Sequence, residues 1–329
     1  MARNVTNGRP SLHGQRVWVA GHTGLVGSAL VRRLEREGCE LLLASHAELD
    51  LTRQQDTENW MKRMRPDVII LAAARVGGIA ANARYPVEFL YDNSMIAMNV
   101  LHAAHALDVN RVLMLGSSCI YPKFSEQPIR EAALLTGALE PTNEAYALAK
   151  IAGLKLAAAY NRQYKRKYIC AMPTNLYGPN DNFDPETSHV LPAMIRRFHE
   201  ARMAGAECVT VWGSGSPRRE FLHADDLADA CVFLLDHYEG SDIVNIGSGQ
   251  EVTIGELAQM VARISGYRGR VLFDRRRPDG TPRKLLDCGK LRLMGWAPAI
   301  ALEEGIAGVY ANWVARAPDA PRREMVARR

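Results

Sequence analysis

The sequence contains no hydrophobic run long enough to cross a membrane. Its longest apolar stretches, such as DVIILAAA at residues 67–74, are much shorter than the roughly 20 residues that a spanning helix needs. Residues 1–14, MARNVTNGRPSLHG, lack the apolar segment of a secretory signal. We therefore expect a cytoplasmic protein that makes no membrane contact.

Cysteines arranged as pairs are also missing. The six cysteines of the 329-residue chain are scattered, without CxxC pairs or the spacing of metal ligands. Thiols in the cytoplasm stay reduced. The sequence therefore predicts neither a disulfide framework nor a metal site.

The chain likewise lacks a nucleic-acid-binding signature. Its formal net charge is only +5, and its arginines form short clusters without zinc-finger spacing, an RNP pattern or a long basic stripe. We expect no nucleic-acid partner. Internal arginine pairs beside Gly and Trp are better suited to a small phosphorylated ligand, because a guanidinium matches phosphate oxygens bidentately.

Strand and helix patterns alternate through the first half of the chain. Short apolar runs predict five strands, and residues with helical spacing separate them. The strands are predicted at 15–21, 40–44, 67–74, 111–115 and 167–173, and the long helices at 87–107 and 143–164. This alternation is typical of βαβ units, so we expect an α/β fold with a Rossmann-type, doubly wound parallel sheet.

The composition changes near residue 174, where loops rich in Gly, Pro and Asn begin to separate shorter elements. A helix at 224–236 and a strand at 243–247 are expected to return to the main sheet. The expected organisation is a flexible N-terminus at 1–14, a dinucleotide-binding Rossmann domain at 15–175 joined by 220–250, a smaller α/β substrate-binding lobe at 176–219 and 251–316, and a basic C-terminal tail at 317–329.

The stretch GHTGLVG directly follows the first predicted strand and precedes the first helix, which is predicted to end at Gly38. Glycines at its first, fourth and seventh places permit a tight turn and close approach of the backbone to a pyrophosphate at the helix N-terminus. In this context the pattern indicates a dinucleotide site. Its predicted cofactor contacts are Gly21, His22, Thr23, Gly24, Leu25, Val26 and Gly27.

The end of the second strand bears on the choice of cofactor. Enzymes that use NAD usually carry Asp or Glu there for the ribose hydroxyls, whereas this chain has Ala44, Ser45 and His46. The missing acid removes a repulsion against a 2′-phosphate and favours NADP or NADPH. No arginine is present to bind that phosphate, so NADH stays open, and His46 is a candidate contact.

The stretch YALAK within a long predicted helix places Tyr146 and Lys150 four residues apart, on one helical face. A neighbouring ammonium is expected to lower the pKa of a phenol and to make it useful for proton transfer. A serine of GSS, after the fourth strand, can help to hold a carbonyl oxygen while a hydride is delivered to its carbon. Together with the glycine motif, these residues indicate a carbonyl reductase.

Several longer stretches carry a closer resemblance, and they span nearly the whole chain. The stretches are AAARVGGIAAN, GSSCIYPK, LEPTNEAYALAKIAGLKL, PTNLYGPNDNF, SHVLPAMIRRFHEA, VWGSGSPRREFLH and PDGTPRKLLD. With them, the sequence resembles the extended short-chain dehydrogenase/reductase superfamily and, within it, is similar to the GDP-L-fucose synthase family.

The resemblance implies a bifunctional, NADPH-dependent 3,5-epimerase/4-reductase that acts on GDP-4-keto-6-deoxy-D-mannose, works as a cytoplasmic homodimer and serves polysaccharide biosynthesis. It implies Cys119 and His189 as the acid–base pair of epimerisation, with Ser117, Tyr146 and Lys150 as the reductase triad. Implied cofactor contacts beyond the glycine loop are Leu115, Gly116, Ser117, Ser118, Lys150, Pro173, Thr174, Asn175, Leu176 and His189. Implied substrate contacts are Arg197, Trp212, Arg219 and Asp279.

The chain departs from the family pattern at the cofactor site. The family typically has arginine at the third place of the glycine loop and again after the second strand, where this chain has Thr23 and 44–46. The departure leaves open a related substrate, such as a GDP-4-keto-6-deoxyheptose. Two further alternatives are a reductase that epimerises one centre or none, and a dinucleotide-sensing protein without catalysis.

Overall fold

The computed structural model describes residues 12–184, 187–277 and 279–316. The predicted tail at 317–329 and most of the predicted flexible N-terminus lie outside these residues. The strands are β1 (Arg16–Ala20), β2 (Glu40–Leu42), β3 (Val68–Leu71), β4 (Arg111–Leu115), β5 (Lys167–Pro173), β6 (Asn175–Tyr177), β7 (Cys208–Trp212), β8 (Arg218–His223), β9 (Val244–Ile246), β10 (Glu251–Thr253), β11 (Arg270–Asp274) and β12 (Arg283–Lys284).

Helices of very different length connect these strands. They are α1 (Leu25–Leu34), α2 (Gln54–Met64), α3 (Ile79–Arg84), α4 (Pro86–Ala106), α5 (Glu144–Tyr164), α6 (Val190–Met203), α7 (Ala224–His237), α8 (Ile254–Ser265), α9 (Gly289–Leu293) and α10 (Leu302–Arg316). Short 3₁₀ turns cover Ser118–Ile120, Glu131–Ala133 and Pro141–Asn143. In the described part of the chain, no helix is both long and apolar enough to span a bilayer.

A six-stranded sheet in the order β2-β1-β3-β4-β5-β9 forms the first core. All of its neighbouring strands run parallel, which confirms the predicted doubly wound sheet. Side chains alternate between its two faces: Trp18 packs with α2, α4 and α5, whereas Val17 and Val19 pack with α1 and α7. Because both faces are covered, the strands consist almost entirely of apolar residues.

The strand order places a crevice at one edge of the sheet. From β1 the chain first forms β2 on one side and then crosses to β3 on the other. The loops that follow the carboxyl ends of β1 and β3 therefore diverge, and a ligand of an α/β sheet binds in such a gap.

A second core belongs to the smaller lobe, and β8 joins it to the first. The first half of β8 pairs with β10 and β12, and its second half pairs with β6, which directly follows β5. β7 and β11 form a separate parallel pair. Helices α6, α8 and α10 bury Phe198, Leu257 and Ile306 against these strands. The carboxyl end of the main sheet is thereby placed beside the smaller lobe.

Two local predictions differ from the structure. Helix α1 ends at Leu34 with Glu35 as its C-cap, and Gly38 lies in the turn that follows, where its φ of +65° suits glycine. Packing also begins before the predicted boundary at residue 15, because Leu12 is fully buried in the core beneath α1. A single apolar residue among polar neighbours carries too little periodicity for sequence reasoning to detect.

Candidate active site

The glycine loop between β1 and α1 is shaped by two close approaches of the backbone. Gly21 has φ +86°, and a Cβ there would lie 2.7 Å from the backbone of Ala73. A Cβ on Gly27 would lie 1.9 Å from the carbonyl oxygen of Gly21. No side chain larger than hydrogen fits at either position.

At Gly24, the middle glycine, no close contact within the protein requires glycine. A Cβ there would meet only the Gly21 oxygen, at 3.7 Å, and the residue is exposed as the N-cap of α1. The helix N-terminus has no side-chain cap, so its first N–H groups are available to an anion. Within the described residues, the buried Nδ1 of His22 also has no hydrogen-bond partner. These features fit a dinucleotide pyrophosphate.

The residues after β2 form a polar turn beside this loop. Ser45 donates from both its backbone N–H and its hydroxyl to the carboxylate of Glu48, each at 2.8 Å. These bonds hold the pKa of Glu48 below its usual value, and the nearby His22 contributes in the same direction. His46 is exposed. The pKa of Asp50 is lowered, mainly by the hydrogen bond from the Thr52 hydroxyl, and His46 contributes in the same direction. The first acid after β2 is therefore Glu48, two residues beyond the stretch 44–46 where the sequence analysis looked for one.

The predicted reductase residues Ser117, Tyr146 and Lys150 converge after β4. Lys150, buried in α5, donates from Nζ to the carbonyl of Leu115 at 2.9 Å. Its ammonium lies 5.7 Å from the ring centre of Tyr146, and Tyr146 is hydrogen-bonded to Ser117. Helical spacing thus brings Tyr146 and Lys150 to the same strand end, as the sequence analysis expected.

The expected effect of Lys150 on Tyr146 is wrong for this structure. Burial raises the pKa of the Tyr146 phenol above its usual value, the nearby Cys119 adds to the increase, and the bond to Ser117 opposes it. Burial also lowers the pKa of Lys150 to about 8. The phenol therefore keeps its proton, which is the form that can give a proton to a carbonyl oxygen.

Cys119 lies in the 3₁₀ turn directly after this strand end. Ser117 and Cys119 are partly exposed, whereas Gly116 and Ser118 are buried. The hydroxyl of Ser117 accepts from the backbone N–H of Cys119 at 3.2 Å. A Cβ on Gly116 would lie 2.4 Å from the side chain of Met172, so glycine lets the turn pack closely against β5.

His189 lies at the N-terminus of α6, in a loop held above the same edge of the sheet. The loop is tied down where the N–H of Gly78, after β3, donates to the carbonyl of Thr187 at 3.0 Å. The residue is exposed, but desolvation of its ring by neighbouring protein atoms and then the ammonium of Lys284 lower the pKa of His189. A neutral imidazole at physiological pH follows.

The junction between β5 and β6 carries four more predicted contacts. Thr174 is buried and donates its N–H to the carbonyl of Ile246 at 2.9 Å. Asn175 donates from Nδ2 to the carbonyl of Glu220 at 2.7 Å. Pro173 is buried at the end of β5, and Leu176 is partly buried in β6. This segment connects the two cores directly beside the strand end that holds Ser117.

The predicted substrate residues gather around the loop between β7 and β8. Asp279 accepts from the N–H of Ser214 at 2.8 Å and from its hydroxyl at 2.6 Å, and these bonds lower the pKa of the carboxyl. Burial lowers the pKa of Arg219, and the charge of Asp279 opposes that effect. Trp212 is 60% exposed beneath the guanidinium of Arg277, at 4.9 Å.

Arg197 is exposed on α6, and its guanidinium donates to the carbonyl of Thr210 in β7 at 2.9 Å.

Three residues that the sequence analysis did not single out also lie at the site. They are Asn143 and Lys284, whose side-chain nitrogens lie 3.4 and 3.5 Å from Sγ of Cys119, and Arg277. Asn143 and Lys284 occur within stretches that carried the family resemblance. Their position in these stretches is the sequence signal that could have marked them as site residues.

Residues 17–247 match the model of the NAD dependent epimerase/dehydratase family. The chain belongs to this family. GDP-L-fucose synthase 1 of Arabidopsis thaliana is 60% identical over 299 residues, which cover 91% of this chain and 92% of that protein. These findings confirm the predicted resemblance and a nicotinamide-dependent enzyme, while the roles of single residues stay predictions.

Solved structures of family relatives agree in fold. A GDP-6-OMe-4-keto-L-xylo-heptose reductase from C. jejuni superposes with a TM-score of 0.89 at 33% identity, covering 94% of this chain and all of that one. A GDP-L-fucose synthetase from Naegleria fowleri bound to NADP has a TM-score of 0.85 at 27% identity and covers 92% of this chain and 95% of that one. The predicted fold class is thereby confirmed.

Proposed function

We propose that the protein is an NADPH-dependent enzyme that converts GDP-4-keto-6-deoxy-D-mannose to GDP-L-fucose, by epimerising C3 and C5 and reducing C4. The observation that carries the proposal is the meeting of a reductase triad with a second acid–base pair. Cys119 lies close enough to Tyr146 to affect the pKa of the phenol. Nζ of Lys284 lies 3.5 Å from Sγ of Cys119, and its charge contributes to the lowered pKa of His189. The 60% identity to a GDP-L-fucose synthase supports the same reaction.

The chain offers a consistent set of groups for the dinucleotide. The open backbone at Gly24 and the uncapped start of α1 suit its pyrophosphate, and Lys150 and the β4 strand end suit its nicotinamide half. When bound, the reduced cofactor supplies the hydride for C4. NADP in the N. fowleri relative supports the phosphorylated form.

For the epimerisation, Cys119 and His189 would remove and return protons at the carbons next to the ketone. Loss of such a proton leaves negative charge on the C4 oxygen, which needs hydrogen-bond donors. Tyr146 and Ser117 can supply them. For the reduction, the phenol of Tyr146 would give its proton to the same oxygen, and its raised pKa keeps that proton available beforehand.

The smaller lobe would hold the GDP moiety and the sugar. We propose that Arg197 and Arg219 neutralise the diphosphate, that Trp212 forms a wall of the nucleotide or sugar site, and that Asp279 accepts a hydroxyl. Asp279 lies beside Arg219 and is fixed by Ser214, so its carboxylate is held in place before substrate arrives. This division assigns the cofactor to the main sheet and the substrate to 176–219 and 251–316.

A GDP-4-keto-6-deoxyheptose is a second candidate substrate. Two observations favour it: the superposition with the heptose reductase of C. jejuni, at a TM-score of 0.89, and the departure from the family pattern at Thr23 and Ala44. The same carbonyl chemistry applies, because the additional carbon lies beyond C5.

The deciding experiment mixes the protein, NADPH and GDP-4-keto-6-deoxy-D-mannose in D₂O and identifies the product by NMR. We expect GDP-L-fucose with deuterium at C3 and C5. A product reduced at C4 but without inversion would reject the epimerase. If the protein turned over a GDP-4-keto-6-deoxyheptose but not GDP-4-keto-6-deoxy-D-mannose, the heptose would be its substrate.

Two substitutions separate the half-reactions. Tyr146→Phe removes the proton donor, and we expect NADPH oxidation to fall at least about 100-fold, because general acid catalysis contributes that much. Deuterium exchange at C3 and C5 should slow much less than reduction in this variant, because Ser117 still donates to the C4 oxygen. Cys119→Ser should strongly slow deuterium exchange at C3 and C5. Equal exchange rates in Cys119→Ser and wild type would show that Cys119 has only a structural role.

We further propose that the protein acts in the cytoplasm as a homodimer formed through α4 and α5. Apolar side chains on these helices face outward: Val87 is 72%, Leu90 41% and Tyr91 59% exposed on α4, and Leu148 on α5 is exposed as well. Residues three and four apart lie on one helical face. A second copy of the same helix pair would cover this face.

A further inference from the structure

Lys284 reaches from the smaller lobe to the catalytic cysteine. It lies in β12, where its backbone is in register with Arg219 of β8. Its side chain crosses to the loop after β4, and Nζ lies 3.5 Å from Sγ of Cys119, 165 residues earlier in the chain. The amide nitrogen of Asn143 approaches the same sulfur at 3.4 Å. Two hydrogen-bond donors are therefore aimed at one sulfur.

The ammonium of Lys284 is not engaged elsewhere. Among residues 12–184, 187–277 and 279–316, no carboxylate oxygen forms an ion pair with it, and it is only partly exposed. Arg219, which pairs with it in backbone register, has its own partner in Asp279, and His189, on which the ammonium also acts, carries a neutral imidazole. Within the described residues, the hydrogen bond recorded for this ammonium is to Sγ of Cys119, so its charge can stabilise a negative charge on that sulfur.

We propose that Lys284 is a positioning residue for epimerisation: it stabilises the thiolate of Cys119 and orients Sγ, with Asn143 as the second donor. Only the thiolate can accept a proton from a sugar carbon, and an opposite charge at this distance favours that form. When the thiolate takes the proton, the charge of Lys284 is no longer balanced. The proposal deepens the proposed function and rests on Cys119 having a part in it.

The same charge also acts on His189. An ammonium nearby disfavours the imidazolium form of His189, so a proton on that ring is given up more readily. Tyr146 also lies close enough to interact with Cys119, and burial keeps its phenol protonated and uncharged. Lys284 is therefore the positive charge shared by both members of the acid–base pair, and it comes from the lobe that we assign to the substrate.

The test measures the thiolate directly, without any sugar. The rate of alkylation of Cys119 by iodoacetamide would be followed by peptide mass spectrometry from pH 6 to 10, in wild type, Lys284→Met and Lys284→Arg. We expect Lys284→Met to slow alkylation of Cys119 at pH 7 about tenfold, because the positive charge that lies 3.5 Å from Sγ and favours the thiolate is lost. Lys284→Arg, which keeps the charge, should restore most of the rate. Cys208, which is exposed, serves as the internal control and should react equally in all three.

A second readout ties the effect to the reaction. Deuterium exchange at C3 and C5 should fall in Lys284→Met by a factor similar to that of the alkylation rate and recover in Lys284→Arg. Identical Cys119 profiles in wild type and Lys284→Met would overturn the proposal, as would failure of the arginine variant to recover. Because alkylation needs no substrate, a wrong sugar assignment leaves this result interpretable.

Discussion

At the scale of single residues, Lys150 shows a conflict between catalysis and stability. Its ammonium is buried and has one observed partner, the carbonyl of Leu115 at 2.9 Å. Burial lowers its pKa from 10.5 to about 8. A shift of this size corresponds to roughly 3 kcal/mol between the charged and neutral forms. The fold would be more stable with an uncharged side chain there, whereas the reductase site that we propose uses the cation.

Lys150→Met should therefore raise stability at pH 7, by about 2 kcal/mol after loss of one hydrogen bond, and abolish reduction. The native group loses its proton near pH 8 and the unfolded one near 10.5, so the unfolded chain binds more protons between these values. Wild-type stability should rise with pH across this window, and the advantage of the variant should shrink. Urea unfolding at pH 7, 8.5 and 10 measures this.

Lys155→Met provides a matched control, because Lys155 is exposed on the same helix. It should change stability little at any of the three pH values. A Lys150→Met protein that is less stable than wild type at pH 7, or whose difference does not depend on pH, would contradict the interpretation of Lys150 as a strained buried charge.

At the scale of elements, different glycines of the loop between β1 and α1 serve stability and cofactor binding. Gly27→Ala puts a Cβ 1.9 Å from a backbone oxygen, so we expect it to destabilise the protein by about 2 kcal/mol or more. Gly24→Ala meets nothing closer than 3.7 Å and should leave stability nearly unchanged. It should nevertheless weaken NADPH binding at least about tenfold, because its methyl group occupies the space that a pyrophosphate needs.

Urea unfolding and fluorescence titration with NADPH distinguish the two variants of this loop. Tight NADPH binding by Gly24→Ala would show that the middle glycine has no part in the cofactor site. Unchanged stability of Gly27→Ala would mean that the turn opens more easily than its geometry indicates.

Helix α8 in the smaller lobe begins with a capping box. The hydroxyl of Thr253 accepts from the N–H of Glu256 at 3.0 Å, and the carboxylate of Glu256 accepts from the N–H of Thr253 at 2.7 Å. Thr253→Ala should destabilise the protein by about 1 kcal/mol in chemical denaturation. Thr253→Ser keeps the hydroxyl and should lose much less, and equal losses in the two variants would show that the methyl group matters more than the cap.

At the scale of the whole molecule, the apolar face of α4 and α5 predicts self-association. Leu90→Glu places a charge within this face and should convert a homodimer to monomers in sedimentation velocity experiments. Leu293→Glu is the control, since Leu293 is 91% exposed on α9 in another part of the fold. A wild-type protein that is monomeric at micromolar concentration, or a Leu90→Glu protein that stays dimeric, would reject this interface.

Much of the first domain could be predicted from the sequence because its signals are local. The strands at 111–115 and 167–173 have the predicted bounds, and the long helices α4 and α5 begin and end within one residue of prediction. Apolar runs bounded by polar residues, and helical spacing over some 20 residues, are strong patterns. The spacing of Tyr146 and Lys150 belongs to this class, since four residues along a helix define one face.

The smaller lobe and the environment of the site depended on contacts between distant segments. The pairing of β8 with β6, β10 and β12 joins segments whose short strands have little pattern of their own. Motif and resemblance together predicted Cys119, Tyr146 and His189 as site residues, and these roles stay predictions. Only the tertiary structure determined that burial outweighs the ammonium at Tyr146 and that Lys284 lies beside the cysteine. Desolvation and long-range charge depend on what surrounds a group in space, and the order of residues along the chain does not specify that surrounding.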